Sequence, residues 1–430
     1  VSRRRAAHIG AIMTIAFNPR SIEMLDVTST DTTTATKAAP FKVNPSAGSH
    51  NGEVSMQWMS RPVDQRFLSL DTLHDFKRKF WEGSFQTRAN TNDFELITPE
   101  IKSQADMHKL TVGVKVNRGD VIDAREVSPT HWAFGQMAQL GKSPAQFLRE
   151  LPSPLVADVL SWRLKHAREV EEIKLYGGAT ELYAATGPDY GRIPDYEVVE
   201  AVRQVAGDGR GGKRWKIPGV LDWRTNMYDP EAPVTIDSTT LYASDRDVFM
   251  FLVDDRNPIE VGKLKTGEPD LMFRGFYIQN SEMGARSLKL AAFYLRAVCM
   301  NRNLWGVEGF EEIKINHTRL APDRWLQQCV PALNAYADGS SQKLIAGVSA
   351  AKEAKVASDH DAAVEFLAQR KFSASRVRAI LEIGEKEEGH EPRSAWDMAQ
   401  AVTAFARNVP NNDDRLTFEL EAKKILDKVA

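Results

Sequence analysis

Apolar and polar positions follow two different periods in this chain, and the change of period divides it. Residues 271–279 and 287–299 are extended runs dominated by aromatic and aliphatic side chains, and they flank a polar turn that holds Met283 and Gly284. Glycine supplies the positive φ that a tight turn needs. Residues 312–317 set Ile313, Ile315 and His317 against Lys314 and Asn316, the period-two pattern of a half-buried strand. A hairpin plus a third strand is therefore expected at the centre of a sheet. Further strands are expected at 110–116, 179–184 and 248–253, the last a continuous apolar run that reads as buried.

Elsewhere the period is helical. Ser128-Pro129, Ser143-Pro144 and Ser153-Pro154 predict helix starts, with serine as cap and proline in the first turn. Gly141 can end the first of these helices. Beyond Pro154, positions 156, 159, 160, 164, 167 and 170 fall on one apolar face. Trp132, Phe134 and Trp162 read as core residues, because large aromatics usually are. A helix is expected at 195–205. Helical spacing then dominates 344–357, 361–369, 375–388, 395–407 and 415–429. The expected fold class is α+β: a mixed core with an antiparallel β-sheet, a helical block before it and a helical C-terminal region. The expected division is a disordered tail at 1–55, an α+β core at 56–330 and the helical region at 331–430. The tail follows from the polar, small-residue run 29–37 and the Gly/Pro-punctuated stretch after it, which bury too little apolar surface to offset ordering entropy.

Composition narrows the function classes. The chain has 430 residues, 42% hydrophobic and 27% charged, which is ordinary for a globular protein. A net charge of −2 supplies no global field for nucleic acid, so such binding needs a local patch. Two cysteines, Cys299 and Cys329, exclude a disulfide framework and make a reducing cytoplasm the expected compartment. No apolar run nears the roughly 20 residues of a membrane helix, so no membrane partner is expected. Arg3-Arg4-Arg5 before an apolar stretch imitates a signal peptide. His8 and Gly10 interrupt it, no small-x-small cleavage site follows, and Met13 reads as the natural start.

Candidate chemistry is sparse. Gly207-Asp208-Gly209-Arg210-Gly211-Gly212-Lys213-Arg214 approaches the phosphate-binding pattern G-x-x-x-x-G-K-[ST], but Arg214 stands where a magnesium-binding hydroxyl belongs and a helix precedes it. The bland reading is a linker. The functional one is a mobile basic loop, with Arg210, Lys213, Arg214 and Lys216 on phosphates and Trp215 stacking on bases. Asp254 and Asp255 end an apolar strand and could hold Mg²⁺ with Glu282; equally, they open a turn at Asn257-Pro258, and Glu282 pairs with Arg286. Asn280, Asn301 and Asn303 suit base edges or strand-end backbone groups. Cys299 with His317 admits a thiol nucleophile, against the reading of Cys299 as a packed core residue. No histidine or cysteine spacing matches zinc, and no cofactor is expected.

Asn280-Ser281-Glu282-Met283-Gly284, then Leu295-Arg296-Ala297-Val298-Cys299 with Asn301, then Ile315-Asn316-His317-Thr318 occur in this order. They resemble the phage and plasmid family catalogued as domain of unknown function 932. Segments 182–205 and 394–407 are similar as well, and the resemblance spans roughly Phe80 to the C-terminus. Met283 stands where valine is usual, and Arg302 where glycine often follows the asparagine. The resemblance implies a mobile-element protein but carries no activity. With the aromatic sheet and the local basic stretches, it makes a non-enzymatic nucleic-acid-binding accessory protein, acting in replication or recombination, the leading expectation. Arg210, Lys213, Arg214, Trp215, Lys216, Asn280, Arg286, Asn301 and Arg302 are its candidate contacts and single-stranded DNA its expected partner; self-association stays open. The rivals are a metal-dependent hydrolase or nuclease on Asp254, Asp255 and Glu282, and a structural or host-interaction protein.

Overall fold

The computed structural model describes residues 41–42 and 61–428, apart from 93, 119–120, 167–170, 223–226, 265–266, 298–301, 304–311 and 410–411. Chain order starts with β1 (Phe41–Lys42), β2 (Arg66–Phe67), α1 (Leu70–Glu82), β3 (Phe85–Asn90), β4 (Glu95–Ile97), β5 (Thr111–Arg118) and β6 (Val121–Pro129). Helices α2 (His131–Leu140), α3 (Ala145–Glu150) and α4 (Ser153–Lys165) follow, then β7 (Glu172–Gly177), β8 (Glu181–Thr186) and α5 (Asp195–Ala206). Strands β9 (Val220–Asp222), β10 (Met227–Asp229), β11 (Leu241–Ala243), β12 (Val248–Lys263), β13 (Pro269–Asn280), β14 (Leu288–Arg296), β15 (Arg302–Asn303) and β16 (Glu312–Ile315) come next. Helices α6 (Ala321–Asp338), α7 (Gln342–Glu353), α8 (His360–Ala368), α9 (Ala374–Glu388), α10 (Ala395–Arg407) and α11 (Asn412–Leu426) close the chain. The fold is α+β with a helical C-terminal region.

The central sheet runs β15-β14-β13-β12-β11-β2, with β16 also on β14; a second, mixed sheet runs β3-β7-β8-β6-β5-β4. The expected hairpin is β13–β14, in register from Met272↔Arg296 to Gln279↔Lys289, and the expected third strand pairs through Leu290↔Ile313. Its continuous apolar runs reflect burial on both faces. Phe276, Ile278, Leu288 and Leu290 face a core shared with the C-terminal helices, whereas Phe273, Tyr277, Phe293 and Leu295 face a second cluster with Phe249 and Phe251.

Four expectations change. Asp254 and Asp255 do not end a strand: β12 runs on to Lys263 through a register shift between Asp254 and Ile259. Pro258 has no N–H for the ladder, so the strand bulges there rather than turning. Ser143 and Ser153 make no cap hydrogen bond, and Thr130 caps α2 through Ala133 N. The boundary at 330/331 falls inside α6, because the packed face of that helix runs across it. Phe41 and Lys42, placed in the expected disordered tail, pair with Tyr228 and Met227, whose strand edge satisfies their backbone groups. The rest of 1–55 lies outside the described residues.

Candidate functional site

The β13–β14 turn is where ionisable groups converge, and its backbone explains why. Gly284 sits at φ 83, and the tight turn aims successive carbonyls outward. Each meets a donor from another element: Ser281 O accepts from Tyr190 Oη (3.2 Å), Glu282 O from Arg192 Nη1, and Met283 O from both Trp132 Nε1 (3.0 Å) and Gln136 Nε2 (2.8 Å). The Gln136 Oε1 atom in turn accepts from Ala185 N at 3.0 Å. A turn buried this deeply is stable only because its polar backbone is satisfied.

Two charged side chains and an amide meet beneath it. Lys77, on the apolar face of α1 with Leu70, Leu73 and His74, reaches Asp195 at 2.8 Å and donates to Ser244 O at 2.9 Å. Asn280 donates to the same Asp195 carboxylate (2.8 Å) and to Ile193 O (2.9 Å). Burial works against the Lys77 ammonium, but Asp195 and Glu282 hold it above its ordinary value. Burial, reinforced by the Asp195 charge, pushes Glu282 up to about 8 against the pull of Lys77 and Arg192. Burial pushes the Asp195 carboxyl up as well, against Lys77 and Asn280, so the two acids compete for protonation beneath the turn. Arg192 lies 4.0 Å over the Tyr176 ring, and Tyr190 stacks on His317 at 5.0 Å. His317 donates Nδ1–H to Gly191 O, and burial lowers its value to about 4. Among the described residues, Arg192 Nε and Asn280 Oδ1 are buried without a hydrogen-bond partner. Lys77, Asp195, Asn280 and Glu282 are each at most 1% exposed. They are closed to solvent in this conformation, and their hydrogen bonds and charges act within the fold, around the turn.

The sequence motif had marked Asn280, Glu282 and His317 here; Lys77, Tyr176, Tyr190, Arg192 and Asp195 were missed. One signal was present. Leu70, Leu73, His74 and Lys77 stand at helical spacing, so a lysine occupies a core position of α1.

The other candidates separate. Glu282 does not pair with Arg286, which instead meets Asp247 at 3.1 Å beside a two-pronged Arg61 contact. Asp254 accepts from Arg214 and Asn257, each at 2.7 Å. Asp255 points to the opposite face and accepts from Lys216 (3.0 Å), Gly219 N (2.8 Å) and Tyr228 Oη (2.7 Å). Asp254 pairs across from Arg274, six residues along β13 from Asn280. That puts the two aspartates roughly 20 Å from the Glu282 turn, at about 3.3 Å per residue. The expected trio does not assemble. Among the described residues no three His, Cys, Asp or Glu side chains converge on a metal position.

The 207–216 loop is tied to β12 at its C-terminal end. Lys216 exchanges both backbone hydrogen bonds with Val253, at 3.0 and 2.8 Å, and three glycines at positive φ shape the approach. Trp215, expected to stack on bases, is a correction. It is 2% exposed, edge-on to Phe276 at 5.1 Å and stacked on Tyr336 at 6.1 Å. Its indole gains more from the core than from solvent. Lys216 is buried in its ion pair, Arg214 is committed to Asp254 and Asp338, and Asn280 is buried. Arg210 and Lys213 remain exposed; their side chains donate to Leu68 O (3.2 Å) and to Gln204 O, and the Arg210 backbone N–H donates to Asp208 Oδ1 at 2.8 Å. Arg302 lies on β15, while Cys299 and Asn301 fall outside the described residues.

No described helix is long and apolar enough to cross a membrane. No family model, curated protein or solved structure matches this chain.

Proposed function

We propose that the protein is a non-catalytic nucleic-acid-binding accessory factor of a phage or plasmid, acting in replication or recombination. The observation that carries the reading is the pair Arg210 and Lys213. Both are exposed, and neither side chain forms an ion pair among the described residues. Cations held this way contact phosphates without a large ordering cost, and a chain with a net charge of −2 needs such a local patch. The resemblance to the domain of unknown function 932 family supplies the mobile-element context. The hydrolase alternative draws less support, because Asp254, Asp255 and Glu282 lie in three separate networks.

The test is fluorescence anisotropy with labelled single- and double-stranded DNA across a salt series. Single-strand binding is expected at low salt, with log K falling linearly with log salt. The double variant Arg210→Ala/Lys213→Ala should flatten that slope by about 1.4, at roughly 0.7 per lost phosphate contact. An unchanged slope, or no binding by the native protein at low salt, rejects the reading.

A further inference from the structure

Helix α4 buries Val156, Ala157, Leu160 and Leu164 and turns Leu155 and Trp162, two turns apart, outward. Trp162 was expected in the core, yet it is 56% exposed. Its indole face is fixed by His166, stacked at 4.4 Å and 22° with Nδ1 against Trp162 O. Arg163 donates to Gly141 O at 2.8 Å and to Lys142 O at 3.4 Å, which holds its guanidinium beside the α2–α3 turn. Gly141 allows that approach, because a Cβ there would meet Arg163 Cβ at 3.3 Å. Lys165, exposed, lies one turn on from Trp162. From His131 to His166 the chain carries Lys142, Arg149, Arg163 and Lys165 against Glu150 and Asp158. This layer is positive in a protein whose total charge is negative.

We infer that the α4 surface around Trp162 is the base-stacking platform for a single-stranded nucleic acid, with Arg163 and Lys165 on the flanking phosphates. The inference rests on the nucleic-acid reading above and assigns the stacking role that the burial of Trp215 leaves open. An exposed aromatic, with Lys165 one turn on and the Arg163 guanidinium at the neighbouring α2–α3 turn, offers a base face and cations together, against the single acid Asp158 one turn before it. A duplex hides its base faces, so the ligand is a single strand. A partner helix would need a continuous apolar stripe, and Asp158, Lys165 and His166 interrupt this one.

The experiment measures binding of a labelled oligothymidylate by anisotropy, with melting temperature and sedimentation recorded for each variant. Trp162→Ala should weaken binding about 5- to 150-fold, the range for one stacked base, and leave the salt slope and the melting temperature unchanged. Trp162→Phe should recover most of the affinity. Arg163→Ala/Lys165→Ala should flatten the salt slope. Full affinity in Trp162→Ala while Arg210→Ala/Lys213→Ala still weakens binding would overturn the platform and leave the functional reading standing. No binding by the native protein would overturn both. A change in sedimenting mass with unaltered binding in Trp162→Ala would make this face a protein interface, and the platform would fall.

Discussion

Burial and then the Asp195 charge raise Glu282 against Lys77 and Arg192, and that makes its contribution to stability depend on pH with a definite sign. Its folded-state value, about 8, lies above the ordinary 4.5, so across that window the folded protein binds a proton that the unfolded chain has released. The Glu282 contribution to stability therefore falls as pH rises from about 4.5 to about 8 and is level outside that window. His317, lowered to about 4 from 6.5, gives the opposite slope, but only below pH 6.5. Above that pH, Glu282 acts without it. Glu282→Gln should match the native protein at pH 5 and exceed its stability at pH 8.5 by on the order of 1–3 kcal/mol. Urea denaturation of both proteins at pH 5, 7 and 8.5 measures this; a gap that does not change with pH would mean Glu282 is ionised throughout. Trp215 and Trp162 show what single residues conceal in a sequence. Both were assigned by their neighbours, one to a basic loop and one to an apolar helix. Long-range packing reversed the two: Tyr336, distant in sequence, buries Trp215, and α4 turns Trp162 outward.

At the scale of elements the sheet centre was legible, because pairing geometry writes itself as alternation and turn chemistry. The β13–β14 hairpin and β16 appear where their runs predicted, and the C-terminal helices follow their apolar period. The β12 bulge and the anchoring of 207–216 were not legible, since both depend on partners far along the chain. Gly275 makes the hairpin testable. A Cβ there would fall 2.3 Å from the Phe293 ring, which packs on Phe251 at 4.8 Å. Phe293→Ala should cost about 3–5 kcal/mol. Gly275→Ala should be destabilising alone, and the double variant should lose less than the sum because the clash is gone. A loss below about 1 kcal/mol for Phe293→Ala would show that its ring carries no core packing.

Across the whole molecule, the helical C-terminal region and the central sheet share one core, with Leu288 and Tyr294 in the same cluster as Leu344, Trp396 and Ile425. An ion network crosses the same junction. Asp270 on β13 accepts from Arg296 on β14 (2.8 and 3.1 Å) and from Lys352 on α7 (2.8 Å), and Arg296 also reaches Glu388 on α9. Burial opposes the Asp270 charge, yet Arg296 and Lys352 hold it below the usual carboxylate range. Asp270→Asn keeps the shape and removes the charge, leaving Arg296 buried with one carboxylate fewer. Losing one member of a buried network typically costs about 3–5 kcal/mol. Because the network spans sheet and helices, the loss should be felt by both at once. Far-UV circular dichroism, dominated by the helices, and tryptophan fluorescence, which includes Trp215 on the sheet, should give one coincident unfolding midpoint in the native protein. Both should move down together in Asp270→Asn. Separate midpoints, with the helical signal lost first, would make residues 331–430 an independent folding unit and reduce the shared core to a docking contact.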